Sequence, residues 1–320
     1  MNSKQKALIA IIIIGIIGIA AGAMVFLSQQ QTTKLRIVAT FYPLAFICQE
    51  IGGEYVQVTQ LVPDNTEIHS WEPSASSIVA AEKADIIVYN GAGADHWVED
   101  EIIPALSSAQ IRIIIQTTEN LDLIPGTQEE HHEETTEEEH HEHGAYDPHT
   151  WISPHMIKQQ AEKVYNALIQ KDPEHQRYYQ TQWINLKAEL EDLDNQYITQ
   201  LATAIKDEIF VSHSAFGYLA QRYGFEQVGV IGLTADEQPS AATIANIVTE
   251  MEQHQTYVIY VDPVYSTEYA NTLKNELQAQ TGQTVTIKEL YLILGQTDGK
   301  NMIEQMQSNL SNLKLGLEAT

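Results

Sequence analysis

Residues 174–204 read EHQRYYQTQWINLKAELEDLDNQYITQLATA. Tyr178, Trp183, Leu186, Leu190, Leu193, Tyr197, Ile198 and Leu201 recur mostly at three or four residues, and the stretch holds no Gly or Pro. That spacing predicts one amphipathic helix. Some thirty residues at 1.5 Å each give a rod of roughly 45 Å. Such a rod spans a whole domain and exceeds an ordinary crossover helix. We read it as a rigid connector between two lobes.

On either side of the rod, short apolar runs alternate with helical patterns. Upstream, strands are expected at residues 34–40, 55–61, 85–89 and 111–115, with helices at 44–52, 74–83 and 97–106. A helix at 155–170 follows Pro154 and stops at Asp172-Pro173. Downstream, strands are expected at 208–212, 226–231 and 257–261, and an extended run at 285–294. Helices are expected at 215–223, 240–253, 267–281 and 301–317. Strand–helix alternation argues an α/β fold with parallel sheets. The fold class is therefore α/β: two lobes, each a mainly parallel sheet flanked by helices, joined by one long rigid helix. The two halves are similar only in this alternation. The boundaries are 1–33 for a leading segment and tether, 34–172 for the first lobe, 173–204 for the connecting helix and 205–320 for the second lobe.

The leading segment is apolar and uncharged from Ala7 to Leu27, behind Lys4 and Lys6. Its length suits a bilayer-spanning helix, and the lysines in front place the remainder outside the cytoplasm. Ala21-Gly22-Ala23 resembles a small-residue cleavage site. The segment is thus a membrane anchor or a removed signal peptide, and both fates give an extracytoplasmic protein.

The formal net charge is −26 over 320 residues. So acidic a surface repels phosphate backbones, which disfavours nucleic-acid partners, and it concentrates cations. The single cysteine, Cys48, excludes an intrachain disulfide and an all-thiolate metal site.

Between Glu129 and His143 the chain packs five histidines and eight glutamates. Imidazole and carboxylate are ligands for borderline divalent metals, zinc among them. The loop 128–144, with His131, His132, His140, His141 and His143, is expected to hold metal at secondary sites. Outside it, three histidines stand at strand-to-loop positions. His69 follows a Pro-Asp-Asn turn, His149 sits in Asp147-Pro148-His149, and His213 follows the first strand of the second lobe. Ligand sites in open α/β sheets form beyond the carboxyl ends of strands. These three are the candidate metal site, two from one lobe and one from the other. His155, His175 and His254 lie on polar helical patterns and are read as solvated, and His96 is left out of the site. There is no His-Glu-x-x-His spacing and no Gly-rich phosphate loop. A secreted zinc hydrolase is the rival class, since three histidines and a water also serve catalysis. It lacks an obvious general base beside a ligand, although Glu67 and Glu72 keep that class open.

Several segments together resemble the extracytoplasmic solute-binding proteins of zinc and manganese ABC transporters, in the cluster with a rigid helical backbone. They are His69 with Trp71-Glu72-Pro73-Ser74, the segment Ala84–Gly91, the segment Asp147–Pro154, the segment His213–Leu219 before Tyr223-Gly224, and Glu237-Gln238-Pro239-Ser240-Ala241. The resemblance implies a non-enzymatic monomer that captures Zn2+ between its lobes and hands it to an ABC permease. It carries the family's ligands onto His69, His149 and His213. A histidine at the third position and the His-rich loop resemble the zinc branch. A manganese or iron binder of the same fold remains the alternative, as does a metal-dependent adhesin. Many relatives add an aspartate from a late strand, but here that stretch reads Leu290-Tyr291-Leu292-Ile293-Leu294. Asp298, Glu67 or a water is then the fourth ligand, and Asp262 is not one.

Overall fold

The β-branched runs pair as two four-stranded parallel sheets. In the computed structural model, which describes residues 34–126, 146–231 and 240–320, the first sheet holds β1 (Leu35–Ala39), β2 (Val56–Gln60), β3 (Ile86–Tyr89) and β4 (Ile113–Gln116) in the order β2-β1-β3-β4. The second holds β5 (Glu208–His213), β6 (Glu226–Ile231), β7 (Val258–Val261) and β8 (Thr286–Glu289) in the order β6-β5-β7-β8. The halves therefore share a strand order, a deeper likeness than the alternation expected from sequence. In each, the chain reverses its winding at the pair of central strands, β1/β3 and β5/β7. A crevice opens beyond the carboxyl ends at such a switch point. The leading segment, the His/Glu loop with its five histidines, and Glu237-Gln238-Pro239 lie outside the described residues.

Helices cover the sheets: α1 (Tyr42–Gly52), α2 (Ala75–Lys83), α3 (Pro154–Lys171), α4 (Gln176–Leu201), α5 (Gly217–Tyr223), α6 (Ala241–Gln253), α7 (Glu268–Thr281) and α8 (Met302–Gly316). Their starts follow local chemistry. Pro43 and Pro154 occupy first-turn positions of α1 and α3, where a missing N–H costs nothing. Ser74 and Asn301 close capping boxes on α2 and α8. Residues 97–106 do not form one regular helix: Val98–Ile102 are wound as a π-helix that passes into a short turn, Ile103–Ala105.

The connecting helix α4 has 26 residues, a rod of about 39 Å. It is shorter than expected because Pro173–His175 form a separate 3-10 turn. Its buried stripe is Tyr179, Trp183, Leu186, Leu190, Leu193, Tyr197 and Leu201. Tyr179, not Tyr178, lies four residues before Trp183, and Ile198 is 44% exposed on the other face. His175 is not solvated. It stacks on Tyr55 with ring centroids 3.9 Å apart and bonds Asp172 through Nδ1 at 2.6 Å.

Leu35–Thr320 pack as one compact unit. One apolar core runs from the first sheet through α3 and α4 to Ile209 and Val211 of β5, Leu290–Leu294 and the inner face of α8. A smaller core of Phe210, Val230, Met251, Ile259 and Leu273 lies under α6 and α7. Each fully buried leucine on α4 contributes about 2 kcal/mol, so the rod is held by both lobes at once.

The extended run at 285–294 is a strand only over Thr286–Glu289. Leu290–Leu294 stay buried, but after Leu290, whose N–H still donates to Val261 O at 2.8 Å, the chain leaves the ladder because side chains take its backbone groups. Asn309 bonds both N–H and C=O of Tyr291 at 2.7 and 2.9 Å, and Asp262 accepts from Leu292 N at 2.5 Å.

Candidate metal centre

His69 arrives on the loop after β2. Ile68 is 1% exposed and anchors this loop in the core, so Glu67 and His69, on either side, turn toward the cleft. The backbone N–H of His69 donates to Glu67 Oε1 at 3.1 Å. The same oxygen lies 3.9 Å from His69 Nε2.

His149 is more tightly braced. Asp147 Oδ1 accepts from both the backbone N–H and Nδ1 of His149, at 2.9 and 2.8 Å. With Nδ1–H donating to a carboxylate, the tautomer is set and Nε2 presents a bare lone pair to the cleft. Asp147 is in turn gripped from the second lobe, where Tyr218 on α5 donates to its carbonyl at 2.6 Å. Asn90 at the end of β3 donates to Pro148 O at 2.9 Å. Gly217 permits the approach, since a Cβ there would sit 2.5 Å from Asp147 Oδ2.

His213 is the last residue of β5 rather than the first after it, and is 2% exposed. Its Nε2 lies 3.1 Å from His149 Nε2, and His69 Nε2 lies 3.3 Å from the same atom. The three ligand atoms all fall within 4.8 Å of one another, the one group of this kind among the described residues. Nitrogens bound to zinc at 2.0–2.1 Å in a tetrahedron stand about 3.3–3.4 Å apart. Both short separations are close to that edge.

Burial, chiefly, and the neighbouring His149 lower the pKa of His69 to about 4, against a smaller opposing pull from Glu67. His69 is therefore a neutral donor well below the ordinary histidine range. Two carboxylates, Asp147 and Glu67, are in contact with the candidate histidines and would offset part of a dication's charge.

Of the fourth-ligand candidates, Glu67 lies outside the group of mutually close ligand atoms but adjoins His69, and its other oxygen accepts from Tyr265 of the second lobe. Asp298 is exposed and bonded to Tyr291 OH at 3.0 Å, beside Glu289 and Lys300. It stands outside the group of ligand atoms. Asp262 likewise stands outside the group of ligand atoms. It is buried, with its pKa raised to about 6 by burial, and holds the backbone N–H of Val264 and Leu292. His96 is exposed and outside the group. His155 and His254 stand near Asp194 and Glu208, at 3.9 and 3.0 Å.

The bracing residues escape sequence reading in different degrees. Asp two positions before His is a spacing that favours a local side-chain-to-backbone bond, so Asp147 was accessible. Asn90 and Tyr218 lie in segments that carry the family resemblance, but their bracing contacts are to remote residues that spacing does not reveal; Tyr265 lies outside every such segment.

Two like sheets, one shared rod and a convergent imidazole trio at their carboxyl edges define a metal-dependent solute-binding protein of the rigid-helix class. Comparison with known proteins agrees. The family model of ZnuA, zinc-uptake complex component A, periplasmic, matches residues 37–316, and the chain belongs to this family. It is a solute-binding transport component of a zinc-uptake system and not an enzyme. The high-affinity zinc uptake system protein ZnuA of Bacillus subtilis is 35% identical over 284 residues, 88% of this chain and 87% of that protein. The metal-dependent lipoprotein YcdH of Bacillus subtilis superposes with a TM-score of 0.73 at 30% identity, covering 88% of this chain and 99% of that one. The Zn(II)-bound ZnuA-like domain of Streptococcus pneumoniae AdcA gives 0.74 at 28% identity, over 89% and 100%.

Proposed function

We propose that His69, His149 and His213 hold a single Zn2+ as cargo in the cleft between the lobes, for delivery to an ABC-type permease. The observation that carries this reading is the pair of Nε2 separations, 3.1 and 3.3 Å, centred on His149. Glu67 is the best-placed oxygen for the fourth position, ahead of Asp298. Mixed nitrogen and oxygen donors in a tetrahedron favour zinc over manganese, which prefers oxygen-rich six-coordination. The domain boundaries stand as 34–172, 173–204 and 205–320, with the protein acting as a monomer. The uncharged run at 7–27 serves as its membrane anchor or export signal. Among the described residues no helix is long and apolar enough to cross a membrane. The loop histidines His131, His132, His140, His141 and His143 bind additional zinc weakly.

The test is a chelator-competition titration of wild type and His213→Ala, with metal analysis of protein purified without added metal. One tightly bound zinc per wild-type chain and its loss in the variant support the reading. Retention of tight zinc by His213→Ala rejects it.

A further inference from the structure

Tyr265 reaches the candidate site from outside every motif segment of the chain. It lies on the loop after β7, at the carboxyl edge of the second sheet. That loop is fastened by buried Asp262. Asp262 Oδ1 accepts from Val264 N at 2.7 Å, its carbonyl accepts from Tyr265 N at 3.2 Å, and Oδ2 accepts from Leu292 N at 2.5 Å. From this fixed base the Tyr265 phenol donates across the cleft to Glu67 Oε2. Glu67 is thus held at both oxygens, by the second lobe at Oε2 and by the His69 amide at Oε1.

We propose that Tyr265 is the positioning residue that sets Glu67 as the oxygen ligand of the zinc site, so that the second lobe governs the fourth vertex from across the cleft. This rests on the three-histidine reading above. Glu67 Oε1 lies 3.9 Å from His69 Nε2, whereas a tetrahedral edge around zinc is about 3.3 Å. A shift of about half an ångström closes that gap to His69; Glu67 lies outside the group of mutually close ligand atoms, so it must also move toward His149 and His213 when metal binds. A carboxylate offers about four lone-pair sites. Oε1 can therefore meet the cation while keeping the His69 amide, and Oε2 can keep the phenol. The phenol does two things. It fixes the rotamer of a flexible side chain before metal arrives, so less ordering remains to be done on binding. It also links the ligand to a loop of the opposite lobe, the same lobe that supplies His213, so any separation of the lobes disturbs Glu67 and His213 together.

The experiment is a double-mutant cycle on the intact protein, reading zinc affinity by chelator competition for wild type, Tyr265→Phe, Glu67→Gln and the pair. Tyr265→Phe is expected to weaken zinc by about 10- to 100-fold, as for other groups that orient a ligand. Glu67→Gln should weaken it at least as much. In the Glu67→Gln background, Tyr265→Phe should add less than about threefold, because its route is gone. Infrared difference spectra provide a readout that a merely structural tyrosine would not move. The zinc-induced carboxylate shift seen in wild type should vanish in Glu67→Gln and change in Tyr265→Phe. No loss of affinity in Tyr265→Phe, or an equal loss in both backgrounds, overturns the proposal. His213→Ala separates the two readings: if it abolishes binding while Tyr265→Phe is silent, only the tyrosine's role fails. If it leaves zinc binding intact, the three-histidine site fails with it.

Discussion

In the first lobe the imidazoles come on loops, His69 after β2 and His149 beyond β4. In the second, His213 ends a strand. The two sheets share one strand order, yet one brings two of the candidate histidines and the other brings one together with two bracing tyrosines. Tyr218 and Tyr265 of the second lobe hold Asp147 and Glu67 of the first. The lesson is that a common topology supplies a crevice, while the loops on its rim decide what the crevice holds. Within the first lobe the contrast repeats: His149 is fixed by its own aspartate and by both lobes, whereas His69 hangs on a loop beside Glu67.

That contrast can be broken experimentally. His149→Ala should have the largest effect, about 100- to 1000-fold loss of zinc affinity or some 3–4 kcal/mol, because its Nε2 neighbours both other ligands. Chelator competition should show His69→Ala losing less. Equal losses would remove the distinction.

Next in size is the pH response of the metal-free protein. His69 has a folded pKa of about 4, against about 6.5 when unfolded. The unfolded chain therefore takes up its proton first. Stability is full above about pH 6.5, falls as pH drops toward 4, and is level below that. Denaturant melts of wild type minus His69→Gln isolate this effect, on the order of 2–3 kcal/mol. The opposite contributions of Asp95 and Asp262, both raised to about 6 by burial, cancel in the difference.

Asp147→Asn tests the brace alone. Loss of the carboxylate that sets the His149 tautomer should cost about 10- to 100-fold in zinc affinity, with the folded state retained by circular dichroism. A smaller effect is expected where Gly295 of the second lobe meets the turn after β2. A Cβ at Gly295 would meet Asp64 Cβ at 2.6 Å and Asn65 N at 2.8 Å. Gly295→Ala should therefore lift the Asp64-Asn65 turn from the second lobe and lower stability by about 1–3 kcal/mol in thermal melts. The smallest change is expected on deleting residues 128–143. Calorimetry should show fewer weak zinc equivalents, with cleft affinity altered less than about threefold. Unchanged stoichiometry would remove the loop's proposed role.

Much of the fold was legible because its signals are periodic. The α4 stripe, the β-branched runs and the Pro, Ser and Asn starts of α1, α2, α3 and α8 each act within a few residues. Errors fell where a distant partner overrode the local pattern. Residues 290–294 look like strand, but Asp262 and Asn309 hold their backbone instead. Tyr178 and Tyr179 are equal candidates until the rod is packed, and His175 reads as polar surface until Tyr55 stacks on it.

The chain by itself determined an α/β molecule with one long rod, an acidic surface and three histidines at loop or strand ends, because residue spacing and charge are local properties. Only tertiary packing decided that those histidines meet, that Asp147 sets one of them and that Asp298 stands apart. Each of these depends on groups scores of residues away being brought within a few ångströms. Linear order carries no such distances; the shared core around α4 creates them.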